Sequence, residues 1–400
     1  MTLHEPISAN FRMSRICYQV NLQTSIGGGE VYTRFLTHAL SRLGWRTVML
    51  VAERAGFWPT FMNDNGQQNG AGIEFRAISD DASLLARLPA EPGLIVTHSV
   101  LSEALAPPVS ARHCLTGFAH MPLHDRKPRG LAAYRRVFAV SEYVRQSALS
   151  CGLKNVHHEP LYGVADVASR LDGARVISPG IHKRSVYDWD TRKLRDRLLG
   201  WIESSLPESE QKVFSRLPGL TLGIVSRLTP IKQFPLMFSI LSPVLARHSN
   251  VHLEIFGSGG YGSVRDLKEA LAPIRGQVRF WGHQTDVAPI YRELDYVISG
   301  LPEKEALGLN LIEAQSCGTP VLAIDAPPFT ETVAEGKGGF LFKDPRRDGG
   351  ADLARLISRL ETGSLVRPDP HDDLTHLSRF SQEEFDKRLN AALNGLEREI

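Results

Sequence analysis

Short apolar runs alternate with amphipathic stretches of helical length along most of this chain, and that alternation restricts the fold more than any other feature. "RICYQV" leads into the helical "GEVYTRFLTHALSRLG" and then "RTVMLVA"; "GLIVTHS", "HCLTGFA" and "RVFAVS" follow. Successive parallel strands must be joined by crossovers, which helices supply, so the rhythm predicts α/β architecture with parallel sheets. It breaks at "YDWDTRKLRDRLLGWIESSLPESEQK", a long polar helical stretch ending in a charged segment, and resumes as "LTLGIVS", "VHLEIFG", "VRFWG", "DYVISG" and "PVLAID". Two doubly wound domains are expected, residues 13–190 and 212–375. The final "FSQEEFDKRLNAALNGLERE" opens with Ser381 and Glu384 in capping-box spacing and predicts a last helix within residues 376–400.

With 400 residues, 42% of them hydrophobic, the chain can bury sizeable cores. Lys plus Arg (46) nearly balances Asp plus Glu (44), which excludes a chain-wide polyanion-binding role and gives no reason to expect nucleic acid. Basic surface is local, with Arg126, Lys127, Arg129, Arg135 and Arg136 the densest run. The four cysteines show no CxxC spacing, against a zinc site or a disulfide framework, and fit a reducing cytoplasm. No apolar run reaches the ~20 residues of a spanning helix. The start "MTLHEPISANF" lacks the basic end and apolar stretch of a signal peptide, and residues 1–12 read as a loose tail.

The stretch "EKEALGLNLIEAQSCGTPV", residues 303–321, carries the most chemistry. It reads as a loop, then a helix stopped by Gly318 and Pro320. Glu305 falls in the loop and Glu313 about one turn into the helix. Between them, the backbone N–H groups of Leu307, Gly308, Leu309 and Asn310 form a helix N-terminus, which attracts phosphate. A carboxylate at Glu313 suits a ribose diol, and one at Glu305 suits hydroxyls of a sugar beyond the phosphates. In "GIVSRLTPIKQF", Arg227 and Lys232 flank a Pro-containing turn at a strand's end, where two cations suit a diphosphate and offset its charge without a metal. Alone, either glutamate reads better as a solvated surface group, and the two cations as solvated turn residues; it is their combination that favours a site.

Together the segments "GGGEVYTRFLTHALSRLGW", "VFAVSEYVR", "SRLTPIKQF", "LEIFGSGGYGSVRDL", "VRFWGH" and "EALGLNLIEAQSCGTPV" resemble the GT-B glycosyltransferases of family 4, retaining enzymes that use sugar nucleotides. The resemblance runs from about residue 13 to the end and is most specific in the E-x7-E element from Glu305 to Glu313. It implies two Rossmann-like domains facing an interdomain cleft, the second holding the nucleotide and the first the acceptor, with the last helix crossing back to the first domain. It further implies that Arg227 and Lys232 hold the donor diphosphate, Glu305 the sugar and Glu313 the ribose. Gly27, Gly28 and Gly29 become the loop closing on the donor, and His120 stands where the family carries a histidine near the reacting sugar. Where the family usually has Gly-Phe-Gly after the first glutamate, this chain has Ala306-Leu307-Gly308.

These readings lead to a cytoplasmic hexosyltransferase-like enzyme of bacterial cell-surface glycan or lipopolysaccharide synthesis. It would move a sugar from a UDP- or GDP-sugar to a glycan or lipid-linked acceptor, with no cofactor and no obligatory metal. The basic run from Arg126 to Arg136 offers a contact to anionic lipid at the inner membrane. Two features favour other readings. "GSGGYG" places Gly257, Gly259 and Gly262 in G-x-G-x-x-G spacing, as in an NAD-dependent oxidoreductase, but the acidic residue expected ~20 positions on is missing. Asp188 and Asp190 form a D-x-D pair that would suit a metal. A sugar-nucleotide binding protein without turnover is the remaining alternative. His98, like His120, ends an apolar run, and reads as structural.

Overall fold

The chain has two parallel six-stranded sheets, each built by the alternation seen in the sequence. The computed structural model describes residues 15–63, 73–123, 129–165, 180–189, 194–205 and 213–399. One compact unit contains residues 1–164 and 380–400, and the other residues 165–379.

In the first unit the strands are β1 (Ile16–Asn21), β2 (Arg46–Ala52), β3 (Glu74–Ile78), β4 (Leu94–Thr97), β5 (Cys114–Ala119) and β6 (Arg136–Ala139). They lie in the order β3-β2-β1-β4-β5-β6. Strands β4 and β5 are buried at every position, as expected of parallel strands covered on both faces. The helix Gly28–Arg42 buries Tyr32, Leu36, Ala39 and Leu40, spaced to form one apolar stripe. The C-terminal helix Gln382–Glu399 belongs to this unit and buries Phe385, Leu389, Leu393 and Leu396. Ser381 caps it by accepting from the Glu384 N–H at 3.2 Å. Asp386 holds Arg42 through two hydrogen bonds of 2.6 and 2.8 Å, and Phe385 meets the Tyr32 ring edge-on at 5.8 Å.

The second unit contains β7 (Leu220–Val225), β8 (Val251–Phe256), β9 (Val278–Gly282), β10 (Tyr296–Ile298), β11 (Val321–Ile324) and β12 (Gly339–Phe342). Their order is β12-β11-β10-β7-β8-β9. Residues 180–189, which the sequence pattern assigns to the first domain, pack here instead: Arg184 N–H donates to the Trp281 carbonyl at 2.9 Å and Asp188 N–H to the Gly259 carbonyl at 2.9 Å. Edge backbone of the second sheet thereby gains partners, which accounts for the difference. Among the described residues no helix is long and apolar enough to cross a membrane.

In each sheet the chain winds outward on one side of its first strand and later restarts on the other. The reversal falls between β1 and β4 in the first unit and between β7 and β10 in the second. In open α/β sheets such a reversal, at the C-terminal ends of the strands, is the place where ligands bind.

Candidate active site

In the second unit, the residues singled out in the sequence stand at that reversal. After β7 the chain passes through Ser226 and Arg227 to a single helical turn, Pro230–Lys232, and on to the helix Phe234–Leu245. The loop is pinned to its neighbour after β8: Ser226 N–H donates to the Phe256 carbonyl at 3.0 Å and Leu228 N–H to the Ser258 carbonyl at 2.8 Å. Such proximity needs glycine. A Cβ on Gly257 would sit 2.9 Å from the Ser226 carbonyl carbon, and one on Gly259 2.9 Å from that of Leu228.

After β10 the loop from Gly300 to Gly308 carries Glu305 and leads into the helix Leu309–Ser316. Gly308 takes φ 83° and ψ 51°, a left-handed conformation that glycine adopts without penalty. Its carbonyl accepts from Leu311 N–H at 2.9 Å. The N–H groups of Leu309 and Asn310 open the helix's first turn, where donors have no intrahelical partner. Leu307 is buried, so its backbone rather than its side chain is suited to a ligand.

The structure brings Lys232 and Glu305 into direct contact, Nζ donating to Oε2, with side-chain exposures of 24% and 17%. Glu313 accepts a 2.9 Å hydrogen bond from the Tyr291 hydroxyl. Tyr291 is fully buried, and burial, with the Glu313 charge beside it, holds its phenol well above the ordinary range. It therefore stays a proton donor to that carboxylate. Nothing in the sequence singles out Tyr291 beyond its position in "APIYRELDYV", on the short helix before β10.

The glycine spacing of "GSGGYG" has a structural explanation. Gly257 N–H donates to the Gly282 carbonyl at 2.8 Å and Gly259 N–H to the Val186 carbonyl at 3.1 Å, so neither amide is available to a pyrophosphate. Asp188 is exposed, and Asp190 lies outside the described residues. So do Arg126 and Lys127, whereas Arg129 and Arg135 are exposed and Arg136 is half-buried. Among the described residues no group of three His, Cys, Asp or Glu side chains could hold a metal ion.

A second cluster occupies the reversal of the first sheet. Gly27 precedes the helix that Gly28 and Gly29 open, and an added Cβ on either of the latter meets nothing within 4 Å, so packing within the unit does not require glycine there. His98 follows β4 and His120 follows β5. Their rings stack at 5.3 Å, with His98 Nδ1 3.0 Å from His120 Nε2. His98 also lies parallel to Phe118, at 5.7 Å and 6°. Burial lowers the pKa of His98 well below the ordinary imidazole value and that of His120 to about 4.

That burial has a measurable consequence. Unfolded imidazoles take a proton near pH 6.5, whereas the folded His120 resists until about pH 4. The unfolded state therefore binds more protons in this window, and stability falls as pH drops through it. For His120 alone the loss is about 3 kcal/mol, order of magnitude, complete near pH 4. Thermal melts from pH 7.5 down to 4 should show the decline, and His120→Gln should lessen it by the share of His120 while that of His98 remains; an unchanged slope in that variant would show that His120 titrates normally.

The chain is similar to known proteins in two ways. Residues 219–362 match the family described as Glycosyl transferases group 1. Over 138 residues the chain is 31% identical to the phosphatidyl-myo-inositol mannosyltransferase of Mycolicibacterium smegmatis, covering 34% of each protein. Over 227 residues it is 31% identical to the D-inositol 3-phosphate glycosyltransferase of Stackebrandtia nassauensis, covering 52% of this chain and 46% of that protein. The chain thus spans less than half the length of these curated relatives. The crystal structure of Anabaena HepE in complex with UDP and glucose has a TM-score of 0.65 over 95% of this chain and 99% of that one, at 18% identity. Sucrose-phosphate synthase from Thermosynechococcus elongatus gives 0.65 over 97% and 100%, at 17% identity. At such identities the likeness establishes the fold.

Proposed function

We propose, from a chain of GT-B fold whose residues 219–362 form a glycosyl transferases group 1 domain, that the protein is a retaining glycosyltransferase. It takes a UDP- or GDP-sugar as donor and passes the sugar to a hydroxyl of a glycan or lipid-linked acceptor. The observation that carries this reading is the Lys232–Glu305 ion pair between the loops that follow β7 and β10, beside the N-terminus of a helix that carries the Tyr291-oriented Glu313 about one turn in. A cation, phosphate-ready amides and two carboxylates suited to hydroxyls match the parts of a sugar nucleotide in order. HepE was crystallised with UDP and glucose, which supports the donor class. Relatives named for phosphatidyl-myo-inositol and D-inositol 3-phosphate support an acceptor that carries phosphate or lipid. The exposed Arg129 and Arg135 suit such an acceptor or an anionic cytoplasmic membrane face.

In this reading Arg227, Lys232 and the amides of Gly308, Leu309 and Asn310 stabilise charge on the departing diphosphate. Glu305 contacts the sugar; for His120 and Gly27 to Gly29 a place at the sugar rests on the family resemblance alone. The bond from the anomeric carbon to the phosphate oxygen breaks as the acceptor oxygen bonds on the same face. The acceptor's proton passes to the leaving phosphate. No step requires a metal, and transfer should persist in EDTA; dependence on Mn²⁺ or Mg²⁺ would redirect attention to Asp188 and Asp190.

The two glutamates separate the parts of the ligand. Glu313→Gln should weaken binding of the free nucleoside diphosphate by ~1–3 kcal/mol, through loss of a charge-assisted contact to the ribose. Glu305→Gln should not weaken that affinity but should reduce transfer, since Lys232 is then free for phosphate while the sugar contact is lost. Calorimetric titration of UDP and GDP into wild type and both variants, paired with a transfer assay, decides it. The opposite pattern would exchange the roles, and no change in either variant would remove the site. Complete absence of sugar-nucleotide hydrolysis or transfer, with binding retained, would instead favour a binding protein.

A further inference from the structure

The hydrogen bonds around His98 run in one direction, and that direction assigns the protons on both imidazoles. The Thr33 carbonyl can only accept, so the Thr37 hydroxyl donates to it at 2.8 Å. The oxygen of Thr37 is then free to receive Gln19 Nε2–H at 2.9 Å, which orients the Gln19 amide. Gln19 Oε1, 2.9 Å from His98 Nε2, also only accepts, so that nitrogen carries the proton. A neutral imidazole has one N–H. His98 Nδ1 is therefore unprotonated and receives the proton of His120 Nε2 at 3.0 Å. The same rule leaves His120 with an unprotonated Nδ1.

We propose that Gln19, Thr37 and His98 are positioning residues that lock His120 in its Nε2–H tautomer, so that Nδ1 accepts a hydrogen bond from a sugar hydroxyl and cannot donate one. The use of Nδ1 for a sugar rests on the transferase reading above; the tautomer lock rests only on the unit's own contacts. Several features give the relay a fixed geometry. Gln19 is wholly buried and Thr37 nearly so. Tyr32 meets the His120 ring edge-on at 5.1 Å and 77°, and its hydroxyl donates to the Leu161 carbonyl at 2.6 Å. Burial also disfavours the imidazolium at both histidines, which would otherwise turn Nδ1 of His120 into a donor. Because the relay begins on the helix opened by Gly28 and Gly29, displacing that helix would also disturb the proton on His120.

The tautomer is directly observable by ¹⁵N-edited NMR of histidine-labelled protein, with the His120 signals identified by their loss in His120→Gln. Wild type should show His120 protonated at Nε2 and bare at Nδ1. Gln19→Leu removes the acceptor that fixes His98 and should give mixed tautomers at His120, with transfer lowered about tenfold and nucleoside diphosphate affinity unchanged. If Gln19→Leu does not fold, Thr37→Val, nearly isosteric, releases the Gln19 amide and should mix the tautomers in the same way. Protonation at Nδ1 in wild type, or an unchanged Nε2–H tautomer in the folded variants, overturns the relay. A relay that behaves as described, with transfer unaffected in His120→Gln, upholds the lock and rejects the sugar contact.

Discussion

Lys232→Ala should lower sugar transfer by ~10²-fold or more, and the loss should exceed what one missing cation would cause. In wild type the Lys232 ammonium stands against the Glu305 carboxylate, both side chains largely covered. Removing the lysine deletes a charge that would stabilise the departing diphosphate. It also leaves a half-buried carboxylate uncompensated, at the place where the donor's negative charge has to enter. The two effects can be separated. Lys232→Ala should weaken nucleoside diphosphate binding as well as transfer, and adding Glu305→Gln should restore part of the binding but none of the transfer. Steady-state kinetics with calorimetry on the single and double variants measures both. Wild-type turnover in Lys232→Ala would remove Lys232 from the reaction, and equal affinities in the single and double variants would show that the pair is not coupled.

Gly257→Ala should destabilise the second unit by ~3–4 kcal/mol with no ligand present. Its added methyl would press on the Ser226 carbonyl, backbone that hydrogen bonds hold in place, at φ 155° where side chains are strained. Gly262 shares the G-x-G-x-x-G spacing but lies in the helix Tyr261–Ala270 with nothing within 4 Å of an added Cβ. Gly262→Ala should therefore stabilise by ~0.5–1 kcal/mol. Urea unfolding of the two variants provides the contrast. A dinucleotide-binding loop would behave differently, with glycine substitutions reducing cofactor binding and NADH raising the melting temperature. Equal stability of Gly257→Ala and wild type would remove the packing explanation.

Local pattern in the sequence was enough to establish the α/β class and its two series of strands, because a buried parallel strand must be apolar and its crossover helix amphipathic whatever surrounds them. The helix start at Gly308, with Glu305 before it and Glu313 after it, was legible for the same reason: helix boundaries and spacing along one helix are written within a dozen residues. Tertiary structure decided which distant groups meet. Lys232 reaches Glu305 across 73 positions, and His98 reaches Gln19 across 79. Both contacts follow from strand orders that reverse at β7–β10 and β1–β4, and strand order is set by how whole layers pack. Tyr291 gave no local sign of its role, since a buried tyrosine reads as core until its hydroxyl is seen to end on a carboxylate. "GSGGYG" shows the converse: its spacing fits a phosphate loop, and only the approach of the Ser226 and Leu228 backbone shows that Gly257 and Gly259 are there to let two strand-end loops touch.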